Sequence, residues 1–361
     1  MINKRALIRR MAPFLIASQI ASPGLSCTRN SKDYSPSINP PVAYTIQATQ
    51  EQIGSKKSLE EVLGKENVVR LSTDKPIVYY TDRHSGFRNY QRVRQNESLD
   101  VRTARGDVYV IDGGDVCGAE RLNERGLDRV QIDDDIRTSN SNTIRLRGNH
   151  DYETCRSFER RREVQGENSG LIDLFKKFSK KFGFWNAVKY SIHEKAHSSK
   201  GLTKQQYDYL NNLPIAVIVN DELVFTHGSG ISRKNYDDQD AAIYEALWRR
   251  AGNPREFLED FGGKIMFNGH TAPWHVIPSN AGKAFRGKAK YDSGRGMGVI
   301  YDDQGNVSRV VMEPFKRGFL GFLGTPKGLF GGGGGTYLEI DPLKDYHRIE
   351  DFELGQEVRK S

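Results

Sequence analysis

The segment "TIRLRGNHDYE" (143–153) places three different polar side chains directly after a β-type run. The run reaches Gly148, and Asn149, His150 and Asp151 follow without a spacer. Because glycine allows the backbone to turn sharply, the strand is predicted to stop there and to present an amide, an imidazole and a carboxylate at its end. Loops at such strand ends are where α/β proteins carry their function.

The same arrangement recurs along the chain. Short β-type runs alternate with helical patterns, such as the apolar spacing over residues 171–182, and this alternation predicts an α/β fold. Asn220 and Asp221 predict a turn between two of the strands. One histidine in such a place is ordinarily structural, but a repeated order of polar strand ends is not easily accidental. The strand ends are Asp82-Arg83-His84, Gly114-Asp115, Gly148-Asn149-His150-Asp151, His227-Gly228 and Gly269-His270-Thr271.

These residue types suit a centre of two divalent metal ions. Two ions roughly 3.5–4 Å apart can hold a phosphate group and acidify a water molecule. A carboxylate can bridge them, imidazole suits manganese, iron and zinc, and an amide oxygen adds a neutral ligand. A neighbouring histidine that binds no metal can protonate the leaving alkoxide.

The order and the flanking residues of these segments resemble the metallophosphoesterases. Within them, the chain is similar to the phosphoprotein phosphatase (PPP) family, and its pattern is closest to the phage- and bacterial-type enzymes. The set of motifs is specific, although each short motif alone is not. The segments that carry the resemblance are "DRHSGFRNYQRV" (82–93), "RLRGNHD" (145–151), "YLNNLPIAVIVNDELVFTHG" (209–228), "EALWRR" (245–250), "FNGHTAP" (267–273) and "YDSGRGMGV" (291–299).

The resemblance implies a calcineurin-like β-sandwich flanked by helices, with a helical insert between the third and fourth motifs. It covers residues 76–312, which we predict to be the metallophosphatase domain. Residues 28–75 are predicted to be a linker and N-terminal extension, in which Ser58 and Glu61 form the capping box of a short helix. Residues 313–361 are predicted to be a Gly-rich loop and C-terminal extension.

The resemblance also implies the metal ligands. Manganese is the expected metal, with iron or zinc as alternatives, and Asp115 would bridge the two ions. The ligands of the first ion would be Asp82, His84 and Asp115, and those of the second Asp115, Asn149, His227 and His270.

His150 would be the catalytic acid on the leaving group. Arg147 and Arg250 would bind the substrate phosphate, because the planar guanidinium binds phosphate oxygens in pairs. The alternative for both arginines is a surface or structural ion pair, in the case of Arg250 with Glu245.

The second motif departs from the family. The usual pattern G-D-x-V-D-R-G is replaced by "GDVCGAER" (114–121), in which the Asp-Arg pair is deleted. That deletion removes the carboxylate that usually orients the catalytic histidine and one phosphate-binding arginine. Arg121 and Glu120 are the candidate substitutes, and Asp151 is expected to brace the loop of the third motif.

The predicted function is that of a protein phosphatase that uses a metal-activated hydroxide. Phosphorylated Ser and Thr in proteins or peptides are the expected substrates, and the altered second motif would also permit phosphotyrosine. Within the same fold, the alternative is hydrolysis of dinucleotide polyphosphates or other small phosphates. A nuclease is a third interpretation, and a non-catalytic scaffold that kept the fold is the interpretation of another class.

The charge and the N-terminus bear on partners and location. A net charge of +8 over 361 residues is spread along the chain, so a solvated basic surface is favoured over nucleic-acid binding. Residues 1–27 have the order of a signal or lipoprotein segment, for which a short amphipathic helix is the alternative. We therefore expect export to the periplasm or beyond, with a lipid anchor at Cys27 as the only membrane contact, and otherwise a cytoplasmic protein.

Export would leave two cysteines, Cys117 and Cys155, in an oxidising compartment. Both follow predicted metal ligands at neighbouring strand ends. A disulfide or a close thiol pair is therefore the hypothesis, and two unrelated loop cysteines are the alternative.

Overall fold

The computed structural model describes residues 57–84, 87–96, 98–118, 127–164, 202–250, 254–270, 289–292, 296–312 and 337–354. All of them belong to one compact unit that covers residues 44–361. The predicted leader, the apolar pattern at 171–182, Arg121 and the Gly-rich segment lie outside the described residues. None of the helices in the described ranges is long and apolar enough to span a membrane.

The described ranges contain helices and strands in alternation. The helices are α1 (Leu59–Leu63), α2 (Phe87–Asn96), α3 (Leu99–Arg105), α4 (Leu127–Thr138), α5 (Asn149–Val164), α6 (Lys204–Asn211), α7 (Gln239–Trp248) and α8 (Pro254–Phe261). The strands are β1 (Val68–Leu71), β2 (Ile77–Tyr80), β3 (Tyr109–Asp112), β4 (Thr143–Arg145), β5 (Ala216–Val219), β6 (Leu223–Thr226), β7 (Ile265–Asn268), β8 (Ala289–Asp292), β9 (Met297–Tyr301), β10 (Val307–Met312), β11 (Leu338–Ile340) and β12 (Glu353–Leu354).

The strands form two sheets. A seven-stranded sheet has the order β1-β5-β6-β7-β10-β9-β8, and a five-stranded sheet has the order β12-β11-β2-β3-β4. In the five-stranded sheet β2, β3 and β4 run parallel, and in the other sheet β6 and β7 run parallel. Parallel strands end at the same edge of a sheet, so the loops that follow them meet there.

The two sheets pack face to face around the main core. The ring of Tyr79 on β2 lies 5.2 Å from that of Phe225 on β6 and 5.8 Å from that of Phe267 on β7. Buried residues from both sheets belong to this one hydrophobic cluster. Burying an aromatic side chain removes about 150–250 Å² from water, so these rings hold the sheets together.

Helices cover the outer faces of both sheets. Side chains of α1, α7 and α8 pack on β5, β6 and β7, and those of α2 and α3 pack on β2 and β3. Strands β2, β5, β6 and β7 are therefore buried on both faces, which explains their continuous apolar sequences. The predicted α/β sandwich flanked by helices is confirmed.

Two local predictions are also confirmed. Asn220 and Asp221 adopt φ of 52° and 57° between β5 and β6, so both occupy the left-handed region of a tight hairpin turn. Ser58 accepts a hydrogen bond from the Glu61 amide, and the Glu61 carboxylate accepts one from the Ser58 amide.

Segments on both sides of the predicted 76–312 domain contribute to the sheets, namely β1 before it and β11 and β12 after it.

Ser58→Ala should lower the free energy of unfolding by about 0.5–2 kcal/mol, because the first turn of α1 loses its cap. Leu59, Val62 and Leu63 of that helix are buried, so fraying of the helix would expose core. Urea denaturation measures the change. The exposed Ser72 is the control, and Ser72→Ala should stay within about 0.5 kcal/mol of the wild type. Equal values for the two variants would contradict the role of the cap.

Candidate metal centre

The predicted metal ligands all lie at the ends of strands that meet at one edge of the sandwich. Asp82 and His84 follow β2, Asp115 follows β3, and Asn149 begins α5 just after β4. The remaining two, His227 and His270, follow β6 and β7 of the other sheet. The structure thus brings together residues that are up to 188 positions apart in sequence, as the amide of His270 donates to the Asp82 carboxylate over 2.9 Å.

The backbone of this edge is strained at the ligand positions. Asp82, His84, Asp115 and His270 have φ of 54°, 39°, 58° and 63°, although none of them is glycine. Each such residue costs about 1–3 kcal/mol and persists only where the surroundings impose it. The strain indicates that the direction of these side chains matters more than the local backbone energy.

Asp115 occupies the middle of the cluster. Its Oδ2 lies 3.3 Å from Nε2 of His84 and 3.4 Å from Nε2 of His227. Oδ1 accepts a hydrogen bond of 2.8 Å from the His150 amide. Two groups of side chains in the described ranges could each hold a metal ion, and Asp115 belongs to both: His84, Asp115 and His150, and Asp82, Asp115 and His227.

Hydrogen bonds to backbone carbonyls fix the tautomers of two of the histidines. Nδ1 of His84 lies 3.0 Å from the Cys117 carbonyl, and Nδ1 of His227 lies 2.8 Å from the Gly113 carbonyl. A carbonyl only accepts, so each Nδ1 carries a proton and each Nε2 is left to face the oxygens of Asp115. In the neutral ring that Nε2 offers a lone pair to a cation, and without a cation it can carry a second proton, which Asp115 accepts. Metal-binding histidines are held in this way in other proteins.

Asn149 completes a second set of converging acceptors. Its Oδ1 lies 2.9 Å from Nε2 of His227 and 2.9 Å from Nδ1 of His270. Nε2 of His270 is buried without a hydrogen-bond partner among the described residues. Carboxylate, imidazole and amide groups that converge on one point fit divalent ions such as manganese, iron or zinc.

The electrostatics of the cluster agree with a site for cations. Burial lowers the pKa of His227, but the charge of Asp115 outweighs it and raises the pKa to about 10. Burial raises the pKa of Asp115, and the nearby rings of His227, His150 and His84 lower it well below its usual value. The pocket therefore attracts positive charge.

Asp151 braces the loops that carry the ligands. Its carboxylate accepts hydrogen bonds from the amides of Asp115, Cys117 and Gly148 over 3.0, 2.7 and 2.9 Å. The loop after β3 is thereby tied to the loop after β4, and the expected bracing role of Asp151 is confirmed.

Residues 75–307 match the family model of the calcineurin-like phosphoesterases. The chain belongs to this family. Members of the family use divalent metal ions, which agrees with the ligand groups around Asp115. None of the curated proteins matches the chain.

Several solved structures resemble this phosphoesterase in fold. A serine/threonine phosphatase from Saccharomyces cerevisiae, similar to human phosphatase PP5, is 13% identical with a TM-score of 0.40, over 82% of this chain and 85% of that one. A metallophosphoesterase from Sphaerobacter thermophilus is 16% identical with a TM-score of 0.35, over 77% and 91%. A putative diadenosine tetraphosphatase is 14% identical with a TM-score of 0.34, over 57% and 80%. At these scores the likenesses carry no information on the substrate.

His150 and Arg250 lie at the open side of the phosphoesterase site. The His150 side chain is 23% exposed, and its ring stands edge-on to that of His84 at 4.9 Å. Arg250 is exposed, and its charge adds to burial and to His227 in lowering the pKa of His270 to about 4. Glu245, the alternative partner of Arg250, bonds instead to Ser232.

Arg147 is placed differently from Arg250. It is buried, and its guanidinium donates to the Asn211 carbonyl at the end of α6. Nε of Arg147 has no hydrogen-bond partner among the described residues. Its contact with the substrate phosphate stays a prediction, and Arg121 lies outside the described part of the chain.

The expected disulfide is wrong. Cys117 and Cys155 are not joined by a disulfide, and both are buried in one hydrophobic cluster with Val116 and Ile132. A close thiol pair stays a prediction. Burial raises the pKa of Cys155 to about 12, which keeps the thiol protonated. The two cysteines act as small apolar core residues here, a role that their spacing in the sequence does not reveal.

The sequence analysis also missed buried polar residues behind the ligands. Gln131 on α4 donates to the His84 carbonyl over 2.6 Å, and Asp135 on the same helix pairs with Arg83. Arg309 on β10 donates to Asn268, two residues before His270. A charged residue within the apolar strand around Arg309 was a visible signal, whereas Gln131 and Asp135 sit in a polar helix that gives none.

Gly148→Ala should weaken metal binding by more than about 10-fold. Mutation of residues that only support the metal ligands already lowers metal affinity by about that factor. A Cβ at position 148 would lie 2.1 Å from Oδ1 and 2.2 Å from the amide nitrogen of Asp115. Calorimetric titration with Mn²⁺ measures the affinity. Gly262 is the control, because it has φ of +82° but no heavy atom within 4 Å of a Cβ. Gly262→Ala should lose stability and keep its metal affinity, and a similar metal loss in both variants would refute the explanation.

Proposed function

We propose that this chain is a two-metal phosphomonoesterase that acts on phosphoproteins. The observation that carries the proposal is the set of acceptor atoms around Asp115, next to the partly exposed His150 and the exposed Arg250. A group of metal-binding side chains, a proton donor and a guanidinium that could bind phosphate are thereby proposed to lie at one edge of the sandwich. Phosphoserine and phosphothreonine are the proposed substrates, and phosphotyrosine is a further one.

The ligands would divide between two ions, with Asp115 contributing to the binding of both. When bound, two divalent ions stabilise charge on the phosphoryl oxygens and lower the pKa of a water molecule. The protein's part is to hold the acceptors in place without filling the space between them. Asp82, His84 and Asp115 would hold one ion, and Asp115, Asn149, His227 and His270 the other.

His150 is suited to donate the proton that the leaving group needs. Its backbone amide is fixed by Asp115 Oδ1, while its ring stays partly open to solvent and lies 4.0 Å from Asp115 Oδ2. The ring would enter the reaction protonated, and proton transfer from Nε2 to the departing alkoxide oxygen would leave a neutral imidazole.

Arg250 is suited to bind the phosphate. Its carbonyl accepts a hydrogen bond of 3.4 Å from Arg309, and the Arg249 carbonyl accepts one of 2.7 Å from the amide of Ser229, close to His227. The segment after α7 is thereby fixed beside the second set of ligands, while the Arg250 side chain extends into solvent. An exposed guanidinium at the rim can reach a phosphate that is carried on a protein surface.

One observation favours a second candidate, the hydrolysis of dinucleotide polyphosphates. Tyr244 is 56% exposed and stacks on Trp248 with ring centres 4.7 Å apart. Trp248 precedes Arg250 by two residues in the sequence. Tyr152 packs edge-on against Trp248 at 5.3 Å. Stacked aromatic rings beside an arginine can bind a nucleobase and its phosphates.

The function is tested with a panel of phosphopeptides, dinucleotide polyphosphates and an aryl phosphate, each with and without chelator. We expect Mn²⁺-dependent release of phosphate, fastest from the phosphopeptides. Asp115→Asn should reduce the rate by more than about 100-fold, the upper range for outer residues of metal sites. An amide cannot bridge two cations as a carboxylate does. Faster cleavage of the dinucleotides would favour the second candidate, and no hydrolysis at all would favour a scaffold.

His150→Asn should keep metal binding and reduce kcat by about 10²–10⁴, the usual contribution of a general acid. The loss should be smaller for aryl phosphates, because their leaving groups need little protonation. His347 is exposed and outside the ligand groups, so His347→Asn serves as the control. Loss of bound metal from His150→Asn would instead make His150 a ligand, as the group of His84, Asp115 and His150 permits.

Arg250→Ala should lower kcat/KM by about 10- to 100-fold, since a hydrogen bond to a charged group contributes roughly 1.5–3 kcal/mol. Arg250→Lys should recover only part of the loss, because a point charge does not reproduce the planar guanidinium. Steady-state kinetics on a phosphopeptide measure both. Arg255, which pairs with Glu259 and Asp303, is the control for removing a surface cation. If Arg250→Ala stays within about twofold of wild type, its phosphate role is wrong.

A further inference from the structure

A cluster of four charged side chains is buried directly behind the ligands that follow β2 and β3. We name it the Arg83 cluster; its members are Arg83, Asp112, Asp135 and Arg145. Nε of Arg83 lies 2.8 Å from Asp112 Oδ2, and its Nη1 donates to Asp135 Oδ1 over 3.0 Å. Nε of Arg145 lies 3.2 Å from Asp135 Oδ1. Arg83, Asp112 and Asp135 are 0% exposed, and Arg145 is 5% exposed.

The cluster is neutral and enclosed. It contains two cations and two anions, and the guanidinium of Arg83 also lies over the ring of Tyr90 at 4.3 Å. Both carboxylate oxygens of Asp135 accept from the two terminal nitrogens of Arg83. Such a paired contact fixes the orientation of the guanidinium as well as its position.

Each strand that carries a member also leads into a metal ligand. Arg83 lies between Asp82 and His84, Asp112 ends β3 three residues before Asp115, and Arg145 ends β4 four residues before Asn149. Helix α4 joins them through Asp135. The same helix supplies Gln131, which donates to the His84 carbonyl over 2.6 Å.

Stability alone does not explain this arrangement. Replacing a buried ion pair by apolar residues is often neutral or stabilising, because desolvation offsets the attraction between the charges. The cluster does, however, link the two strained residues on either side of Arg83 to β3, β4 and α4. With φ of 54° and 39°, Asp82 and His84 need an external constraint to stay in place.

We infer that the Arg83 cluster is a positioning element that aligns Asp82, His84 and Asp115 around one of the two metal ions. The inference rests on the proposed two-metal centre. Of the other ion's ligands, Asn149 follows β4 of the cluster, but His227 and His270 follow strands of the other sheet, which carry no member of the cluster. The cluster therefore controls the affinity of the ion held by Asp82, His84 and Asp115 more strongly than that of the other ion.

The test removes one cation and one anion together, so that no charge is left unpaired in the core. Arg83→Met with Asp112→Asn does this, and the asparagine keeps an acceptor for the Gly114 amide that Asp112 Oδ1 binds over 3.2 Å. The matched control is Arg94→Met with Asp134→Asn. Arg94 and Asp134 form a neighbouring ion pair that is also largely buried, and among the described residues their other ion-pair partners are Asp100 and Arg137, which lie outside the ligand-bearing loops.

Mn²⁺ is titrated calorimetrically into the metal-free full-length chain and both double variants, with melting temperatures measured in parallel. We expect the wild type to bind two ions. In the Arg83 variant the affinity for one ion should fall by about 10- to 100-fold, as it does when residues that support metal ligands are mutated. The affinity for the other ion should fall by less. The Arg94 control should keep both affinities within about threefold, even if its melting temperature falls.

Equal weakening of both ions, unchanged affinities in the folded Arg83 variant, or the same selective loss in the Arg94 control would overturn the inference. If the double variant does not fold, Arg83→Lys decides by the same titration. Arg83→Lys keeps the charge but loses the paired contact with Asp135. We expect a smaller loss of Mn²⁺ affinity at the same ion, and an unchanged affinity would contradict the inference. A wild type that binds two ions but hydrolyses nothing refutes the proposed function alone, whereas one that binds no Mn²⁺ refutes both.

Discussion

The convergence of carboxylate oxygens and imidazole nitrogens on one point imposes the main constraint on this molecule. Nε2 of His84 and Nε2 of His227 face the carboxylate of Asp115, and their opposite nitrogens are held by backbone carbonyls. Oxygens and nitrogens this close repel one another unless a proton or a metal ion lies between them. The carboxylate of Asp151 and the ion pairs of Arg83 keep the surrounding loops from relaxing. The family membership and the geometry therefore point to the same chemistry.

The sandwich is the means by which six distant side chains reach one place. Two sheets contribute ligands, and a slip of one sheet against the other would separate Asn149 from His227 and His270. The ring contacts of Tyr79 with Phe225 and Phe267 resist that slip. A close-packed core transmits small displacements rather than absorbing them, so the precision of the centre depends on the packing below it.

The two predicted phosphate-binding arginines differ in exposure. Arg147 is buried and bonds the end of α6, while Arg250 is exposed and follows the stacked Tyr244 and Trp248 in sequence. In the proposed function Arg250 would bind the phosphate, and the aromatic pair would offer a surface for the rest of the substrate. These features, rather than the ligands, separate the protein-phosphatase proposal from the dinucleotide alternative.

The sequence by itself determined several of the strands, the Asn220–Asp221 turn and the Ser58 cap, which follow from periodicity and from turn and cap preferences, all local properties of the chain. The residues that meet around Asp115 were expected from the order of polar strand ends and from the resemblance to the metallophosphoesterases. Only the tertiary structure decided that Cys117 and Cys155 are free core thiols, that β1, β11 and β12 extend the sheets, and that Asp135 of α4 pairs with Arg83. The reason is physical: the partner of a buried charge or thiol depends on which distant segments pack around it, and no local pattern records that choice.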